Sequence, residues 1–438
     1  MIHSFAFKKN LLIFFTLPAL FFIAACSGDT VDIPEFSESD TGPYMLDMTH
    51  LNLLKSNLDD PFIQEEYNRL ILVADDLLIN NFEYVTDKDN IPPSGDINDY
   101  MSLARYLWPD PSTGVYTETR DGITNPEIYQ YDRPKLDRIS NAIFYLSLAY
   151  FYSENEEYAE KATNLISKWF IEKDTRMNPN LNYAQVALGV NNNSGNLQGI
   201  IDTIDFIDII DSISLIYDSR FWTSSKHTEL KKWFYSFTKW IDSRYNADAF
   251  CKVAWCNNVS TWFDAQKIIY FLFTEQVERL NSTSSVQPIE KKISLQFTSD
   301  GIQKNEETRA LSQHYFYFNL RAYMKIAQMR KQRTGFDRDW PVLNSADFGG
   351  IKPSLDIIVN YLNGEDPSQF FSPTSDFDNC RYLEIFKPAA VLFEHAEYED
   401  VSRQLLYHDD GCSNLNVSLT LPPLKWMVFE EPVNPSLF

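Results

Sequence analysis

The chain has 438 residues, enough for one large or two ordinary domains, and a formal net charge of −23. That charge excludes nucleic acid as a partner, because phosphate backbones need basic patches. Aromatic residues make up 15% of the chain, which serves core packing and sugar stacking equally and does not choose between them.

The N-terminus carries Lys8 and Lys9, then an apolar run from Leu11 to Ile23, then Ala24-Ala25-Cys26. A charged start, a short apolar stretch and small residues before a cleavage point predict an export signal over residues 1–25. A Cys directly after two alanines is similar to a bacterial lipobox, so Cys26 is the expected lipidation site and membrane anchor. The alternative is an ordinary secretory leader with an incidental Cys. The run is too short to span a bilayer comfortably. Asp29, Asp32, Glu35, Glu38 and Asp40, mixed with small polar residues, predict an acidic tether over residues 26–45. A single domain is expected over residues 46–438. The localisation that follows is the periplasm or the outer surface of an exporting bacterium.

Helical spacing dominates the rest. Apolar residues at i, i+3, i+4 and i+7 predict helices over Leu136 to Tyr150, Tyr158 to Phe170, Ile200 to Ile216 and Leu230 to Ile241. Thr261 to Phe273 and Leu311 to Met329 continue the series. Loops rich in Asn, Pro, Gly and Ser separate them, and no strand-rich half is expected. The region from about Asp339 onward is less regular. The fold class is therefore all-α, built from successive helical hairpins. Cys251 with Cys256, and Cys380 with Cys412, are near enough in sequence to pair, but four cysteines leave the connectivity open. The six His residues form no ligand-spaced cluster, and no cofactor or metal is implied.

Four stretches, in order, carry a resemblance. They are Trp108-Pro109-Asp110-Pro111 with Arg120-Asp121-Gly122-Ile123-Thr124-Asn125-Pro126-Glu127; Leu146-Ser147-Leu148-Ala149-Tyr150 with Tyr158-Ala159-Glu160-Lys161-Ala162; Asn257-Asn258-Val259-Ser260-Thr261-Trp262-Phe263-Asp264; and Asp300-Gly301-Ile302-Gln303 leading to Glu306, Arg309, Ser312 and Tyr315. Together they resemble the alginate-lyase domain family of polysaccharide lyases. The resemblance implies an incomplete (α/α) toroid and β-elimination of an acidic polysaccharide such as alginate or a glucuronan. It implies Asn258 as neutraliser of the uronate carboxylate, Arg309 as added charge that also favours a nearby phenolate, and Tyr315 as general acid and, for one epimer, base. Asn257, Trp262, Trp108, Arg120 and His314 are the implied substrate contacts.

One position departs from the family pattern. Where the family reads Asn-Asn-His-Gly-Thr-Trp-Tyr-Asp, this chain has Val259 in place of the His. Three readings stay open: Tyr315 acts alone, His314 takes over, or the chain is a non-catalytic relative that binds uronates. Plainer readings also stand. Asn257 and Asn258 suit a helix N-cap; Arg309 can pair with Glu306; Arg120 can pair with Asp121. A rival chemistry, glycoside hydrolysis, has its best carboxylates in Asp202, Asp205 and Asp208 on one helical face.

Overall fold

The computed structural model describes residues 33–37, 41–245, 250–251, 256–281, 286, 288–333, 350–372, 377–393, 395–407 and 412. The expected leader, its Cys26, Lys252, Trp255 and the apolar segment Leu415 to Trp426 lie outside these residues. Among the described residues no helix is long and apolar enough to cross a membrane.

Twelve described helices carry the fold. They are α1 (Met48–Lys55), α2 (Pro61–Ile79), α3 (Arg133–Ser153), α4 (Glu156–Ile166), α5 (Phe206–Ile216), α6 (Ser224–Arg244), α7 (Asn258–Phe273), α8 (Ile289–Gln296), α9 (Ser312–Gln332), α10 (Ile351–Leu362), α11 (Leu383–Phe393) and α12 (Ala396–Tyr407). From α3 onward they alternate. The odd-numbered helices form an inner series, α3 on α5, α5 on α7, α7 on α9 and α9 on α11. The even-numbered ones return outside, as α4 does on α3, α6 on α7 and α12 on α11. This is an α/α toroid.

Composition accounts for the enclosure of α5, the most apolar of the inner helices. A helix that is apolar on every side has no solvent face and must be enclosed. In α5 every residue but Ser214 is buried, and in α7 every residue but Val259. By contrast, α4 has a charged outer face with Glu156, Glu157 and Glu160.

The predicted Ile200 to Ile216 helix is in fact two pieces, a 3-10 turn over Leu197–Thr203 and then α5. Tertiary contacts override the periodicity there. Asp202 is held by the Tyr100 and Ser102 hydroxyls, and Thr203 Oγ1 donates to Gln266 Oε1 at 2.7 Å. Helices α1 and α2 carry no expectation from the sequence.

Four short strands also form. β1 (Met101–Leu103) pairs in parallel with β4 (Tyr183–Val186), and β2 (Leu107–Pro109) pairs antiparallel with β3 (Tyr116–Thr119). They make a small lobe with its own apolar cluster of Met101, Leu103, Tyr116, Ile128, Tyr131 and Val186.

The expected tether ends earlier than residue 45. The compact unit that holds the helices begins at Glu35. Tyr44, Met45 and Leu46 are core residues, and their backbone N–H groups donate to the buried Asp211 carboxylate at 2.6, 3.0 and 2.6 Å. Apolar side chains and a carboxylate with three donors fix this stretch despite its acidic approach.

Candidate functional site

The site forms where three segments meet: the start of α7, the turn leading into α9, and the β2–β3 lobe. Asn257 is the N-cap of α7, its side chain accepting from Val259 N at 3.1 Å. The capping reading is thus correct for Asn257, although the helix starts at Asn258, three residues earlier than the apolar spacing indicated. Asn258 is 2% exposed and faces Glu306. Glu306 Oε1 accepts from both the backbone N and the side-chain Nδ2 of Asn258, each at 2.7 Å. An amide nitrogen carries two hydrogens, so the contact with Glu306 uses one N–H of Asn258 and not the other.

Glu306 was not among the residues singled out for chemistry, yet it organises the site. Its side chain is fully buried and its Oε2 has no hydrogen-bond partner. Burial pushes its pKa from 4.5 up to about 7, against the Asn258 donors and Arg309, which pull it down. Only a buried carboxyl with a special environment behaves so, and sequence alone offers no signal for it. The folded state therefore holds this proton where the unfolded state has lost it. Stability is expected to fall as pH rises from 4.5 to about 7, by roughly 3 kcal/mol for this group. Urea unfolding at both ends of that window should show the decline, and Glu306→Gln should remove it.

Arg309 pairs with Asp121, not mainly with Glu306. Its Nε and Nη2 meet the two Asp121 oxygens at 3.0 and 2.7 Å, while Glu306 Oε2 lies 3.8 Å from Nη1. The backbone N of Ala310 adds a third donor to Asp121 at 3.0 Å. Gly122, with φ of +77°, permits this approach, since a side chain there would meet Leu311 Cγ at 3.0 Å. Arg120 consequently has a different partner from the expected one: it forks onto Glu118 at 3.0 Å for both bonds and lies 4.5 Å over the Trp108 ring. Trp108 and Arg120 are half-buried together on the lobe, with Trp108 Nε1 donating to Ile123 O at 3.2 Å.

Tyr315 is 7% exposed. The Arg309 guanidinium carbon sits 3.7 Å from its ring centroid, and its hydroxyl is 2.8 Å from that of Tyr106. Arg309 pulls the phenol pKa down, as expected. Burial outweighs it, however, and the pKa stands well above the usual tyrosine value. Tyr315 therefore rests as a protonated phenol, ready to donate, and ionises only at alkaline pH or with help. Tyr106 is the second residue that the sequence reading missed. It follows Arg105 in the connection from β1 to β2, more than 200 residues from Tyr315, and nothing local marks it.

From Ser312 to Arg330 every residue of α9 is buried except His314, Phe318 and Arg321. These fall at i, i+4 and i+7, one stripe on a helix otherwise enclosed. His314 stacks on Phe318 at 5.7 Å. Burial lowers its pKa to about 4, helped by Arg381, Arg105, Arg309 and Arg321, so it is neutral at physiological pH. Four arginines thus act on one half-buried imidazole, and two of them are ion-paired, Arg309 with Asp121 and Arg321 with Glu384. Arg105 and Arg381 are exposed.

Trp262 departs from its expected role. Its ring is fully buried, packed on Phe318 at 5.1 Å with Arg321 5.5 Å from its centroid. A ring with no exposed face cannot stack on a sugar; it supports the stripe from behind. Val259, at the position of the family His, is the one residue of α7 that is not buried. The rival carboxylates are engaged elsewhere. Asp202 accepts from Tyr100, Ser102 and Gln185, Asp205 lies 3.6 Å from Arg133, and Asp208 pairs with Lys325 at 2.6 Å. They do not flank a gap as an acid and base pair must.

The alginate lyase family model matches residues 84–370. A crystal structure of an alginate lyase from Bacteroides ovatus is 28% identical, covers 89% of this chain and 100% of its own, and superposes with a TM-score of 0.77. A variant of alginate lyase A1-III complexed with tetrasaccharide is 13% identical, covers 90% of this chain and 98% of its own, and has a TM-score of 0.50, a likeness of fold alone. The unsubstituted A1-III enzyme, from Sphingomonas species A1, is 12% identical over 83% of this chain and 95% of its own, with a TM-score of 0.47. No curated protein matches significantly. The match to the family model spans the site and most of the toroid, and the chain belongs to the alginate lyase family.

Proposed function

We propose that the protein is a polysaccharide lyase that cleaves a polyuronate, alginate or a glucuronan, by β-elimination at this site. One observation carries the reading. A tyrosine whose ring rests on Arg309 and whose hydroxyl meets Tyr106 sits beside a stripe near the exposed Arg105 and Arg381, while the chain as a whole is strongly acidic. Such a local reversal of charge suits a polyanion, whose approach the global field would otherwise oppose.

The chemistry follows from the donors. The proton at C5 of a uronate is weakly acidic because the neighbouring carboxylate is already negative. Charge that develops on that carboxylate needs donors placed for it. The second Asn258 N–H, Arg105 and Arg381 can supply them, whereas Arg321 is ion-paired with Glu384. Arg309 is committed to Asp121 and Tyr315, so its part is to hold the phenol. Tyr315, once its phenol has lost its proton to solvent, takes the C5 proton as phenolate and returns it to the departing O4. Val259 can supply no base, and with both transfers assigned to Tyr315 they fall to the same face of the sugar. Mannuronate and glucuronate place their C5 proton and O4 on one face; guluronate does not.

Cleavage leaves a double bond conjugated to the carboxylate, which absorbs in the ultraviolet. Absorbance is expected to grow on polymannuronate or glucuronan and to stay flat on polyguluronate. Growth on polyguluronate alone would refute the single-face mechanism. Binding of polymannuronate without growth on any polyuronate would favour a second reading, for which Val259 is the specific observation: a relative that only binds acidic glycans. We further propose that the chain is an exported lipoprotein tethered through Cys26, which would put the site where environmental polysaccharide is met.

A further inference from the structure

The start of α7 is tied down more heavily than a helix terminus requires. Helix ends lack intrahelical partners in their first turn and fray. Here Asn257 caps the turn, Glu306 holds Asn258, Gln296 Nε2 donates to Asn257 O at 3.2 Å, and Lys292 Nζ donates to Ser260 O at 2.6 Å. A disulfide, Cys251–Cys256, is added to these, and its second half-cystine is the residue just before the cap. Both cysteines are buried, at 5% and 0% exposure. Cys256 O accepts from Asn305 Nδ2 at 2.8 Å, which links the disulfide to the neighbour of Glu306. Phe250, next to Cys251, stacks on Phe263 of α7 at 4.1 Å.

The bond closes a loop of sequence separation 5, against 32 for Cys380–Cys412. Stabilisation through the unfolded chain grows with loop length, so the shorter bridge has the weaker claim as a general staple. Its position points to a local task. The Asn258 amide has one N–H on Glu306 and must aim the other; a small rotation of the first turn would misdirect it. Misplacement of this kind is costly to catalysis even when folding survives.

We propose that Cys251–Cys256 is a positioning device that fixes the aim of Asn258, so that full activity requires the oxidised bond. The role in turnover rests on the lyase reading of Asn258; the effect on the helix start does not. A dithiol would undo it by a balanced exchange. The sulfur–sulfur bond breaks and takes up two electrons and two protons, while the dithiol closes to its own disulfide. Oxidising compartments outside the cytoplasm keep such bonds closed.

The test uses the full chain in three forms: oxidised, treated with dithiothreitol under native conditions with thiols counted, and Cys251→Ala/Cys256→Ala. Hydrogen exchange is followed across the first turn of α7 and, separately, across residues 265–272. Turnover of polymannuronate is measured alongside. Opening the bond is expected to speed exchange in the first turn by roughly tenfold or more while residues 265–272 keep their protection. It is also expected to lower kcat roughly tenfold or more with KM within about twofold. First-turn exchange that is unchanged once reduction is complete would overturn the proposal. So would loss of protection throughout the helix, which would make the bond a general staple. If the double variant does not fold, the reduced wild type decides. An oxidised protein inactive on every polyuronate would sink the lyase reading, while the exchange data would still judge the clamp.

Discussion

Tyr315→Phe is expected to lower kcat on polymannuronate by about 10² to 10⁴-fold, the range for losing a positioned acid or base. The substitution removes one oxygen and leaves the ring on which Arg309 rests at 3.7 Å, so Arg309, Asp121 and the lobe should keep their places. Folding should change little, because the lost hydrogen bond reaches only Tyr106, which is itself half-buried. A fall in kcat with KM nearly constant would identify an interaction made in the transition state. Retention of more than about a tenth of wild-type kcat would assign the proton transfers elsewhere. The raised phenol pKa adds a sign to this expectation. If Tyr315 must lose its proton to act as base, activity rises toward alkaline pH, and that rising limb should vanish in the variant.

The largest expected effect on stability lies behind the site. Lys292 on α8 and Asp264 on α7 form an ion pair whose side chains are 1% and 4% exposed. Lys292 also donates to the backbone at Ser260. Lys292→Met keeps much of the stem's volume and removes the charge. Asp264 would then be a buried carboxylate without its cation, a change that costs about 3–5 kcal/mol. Burial already disfavours the ammonium form of Lys292, so the pair persists through Asp264 rather than through solvation. Urea unfolding should show that loss. Lys292→Met combined with Asp264→Leu should recover much of it, since an apolar pair of similar volume is often neutral or better. No recovery in the double variant would mean that the Ser260 contact, not the pair, is what matters.

The helices were legible because their apolar residues recur at helical spacing, while the toroid came from the resemblance; α9 is enclosed although it carries Gln313, Asn319, Lys325, Gln328 and Arg330. The hairpin order followed from the polar loops between them. The four strands were not legible, being three or four residues long and without alternation. At the site, the local features could be read. Asn257 as a cap has its own chemistry, and the Asn258, Arg309 and Tyr315 positions came from the resemblance.

What could not be read was partnership over distance. Arg309 has a carboxylate three residues away in Glu306, and local spacing favours that pair, but the fold delivers Asp121 from 188 residues off with better geometry. Arg120 loses its expected partner for the same reason. Arg105 and Tyr106 reach the site from the connection between β1 and β2 and Arg381 from a 3-10 turn over Asn379–Tyr382, and no periodicity records that. The stripe of His314, Phe318 and Arg321 was available in the sequence at helical spacing. It stayed unremarked because its meaning depends on knowing that the other faces of α9 are covered.

The central claim is elimination at Tyr315 and not hydrolysis or binding alone, and product mass tests it most directly. Polymannuronate digested by the oxidised full chain should yield oligosaccharides whose new non-reducing ends are lighter by one water than hydrolysis products, and Tyr315→Phe should yield almost none. Products carrying the added water would contradict the account and return a carboxylate pair to consideration. Intact polymer, bound but uncut, would contradict it in the other direction and leave Val259 as the mark of a site that has kept its ligand and lost its chemistry.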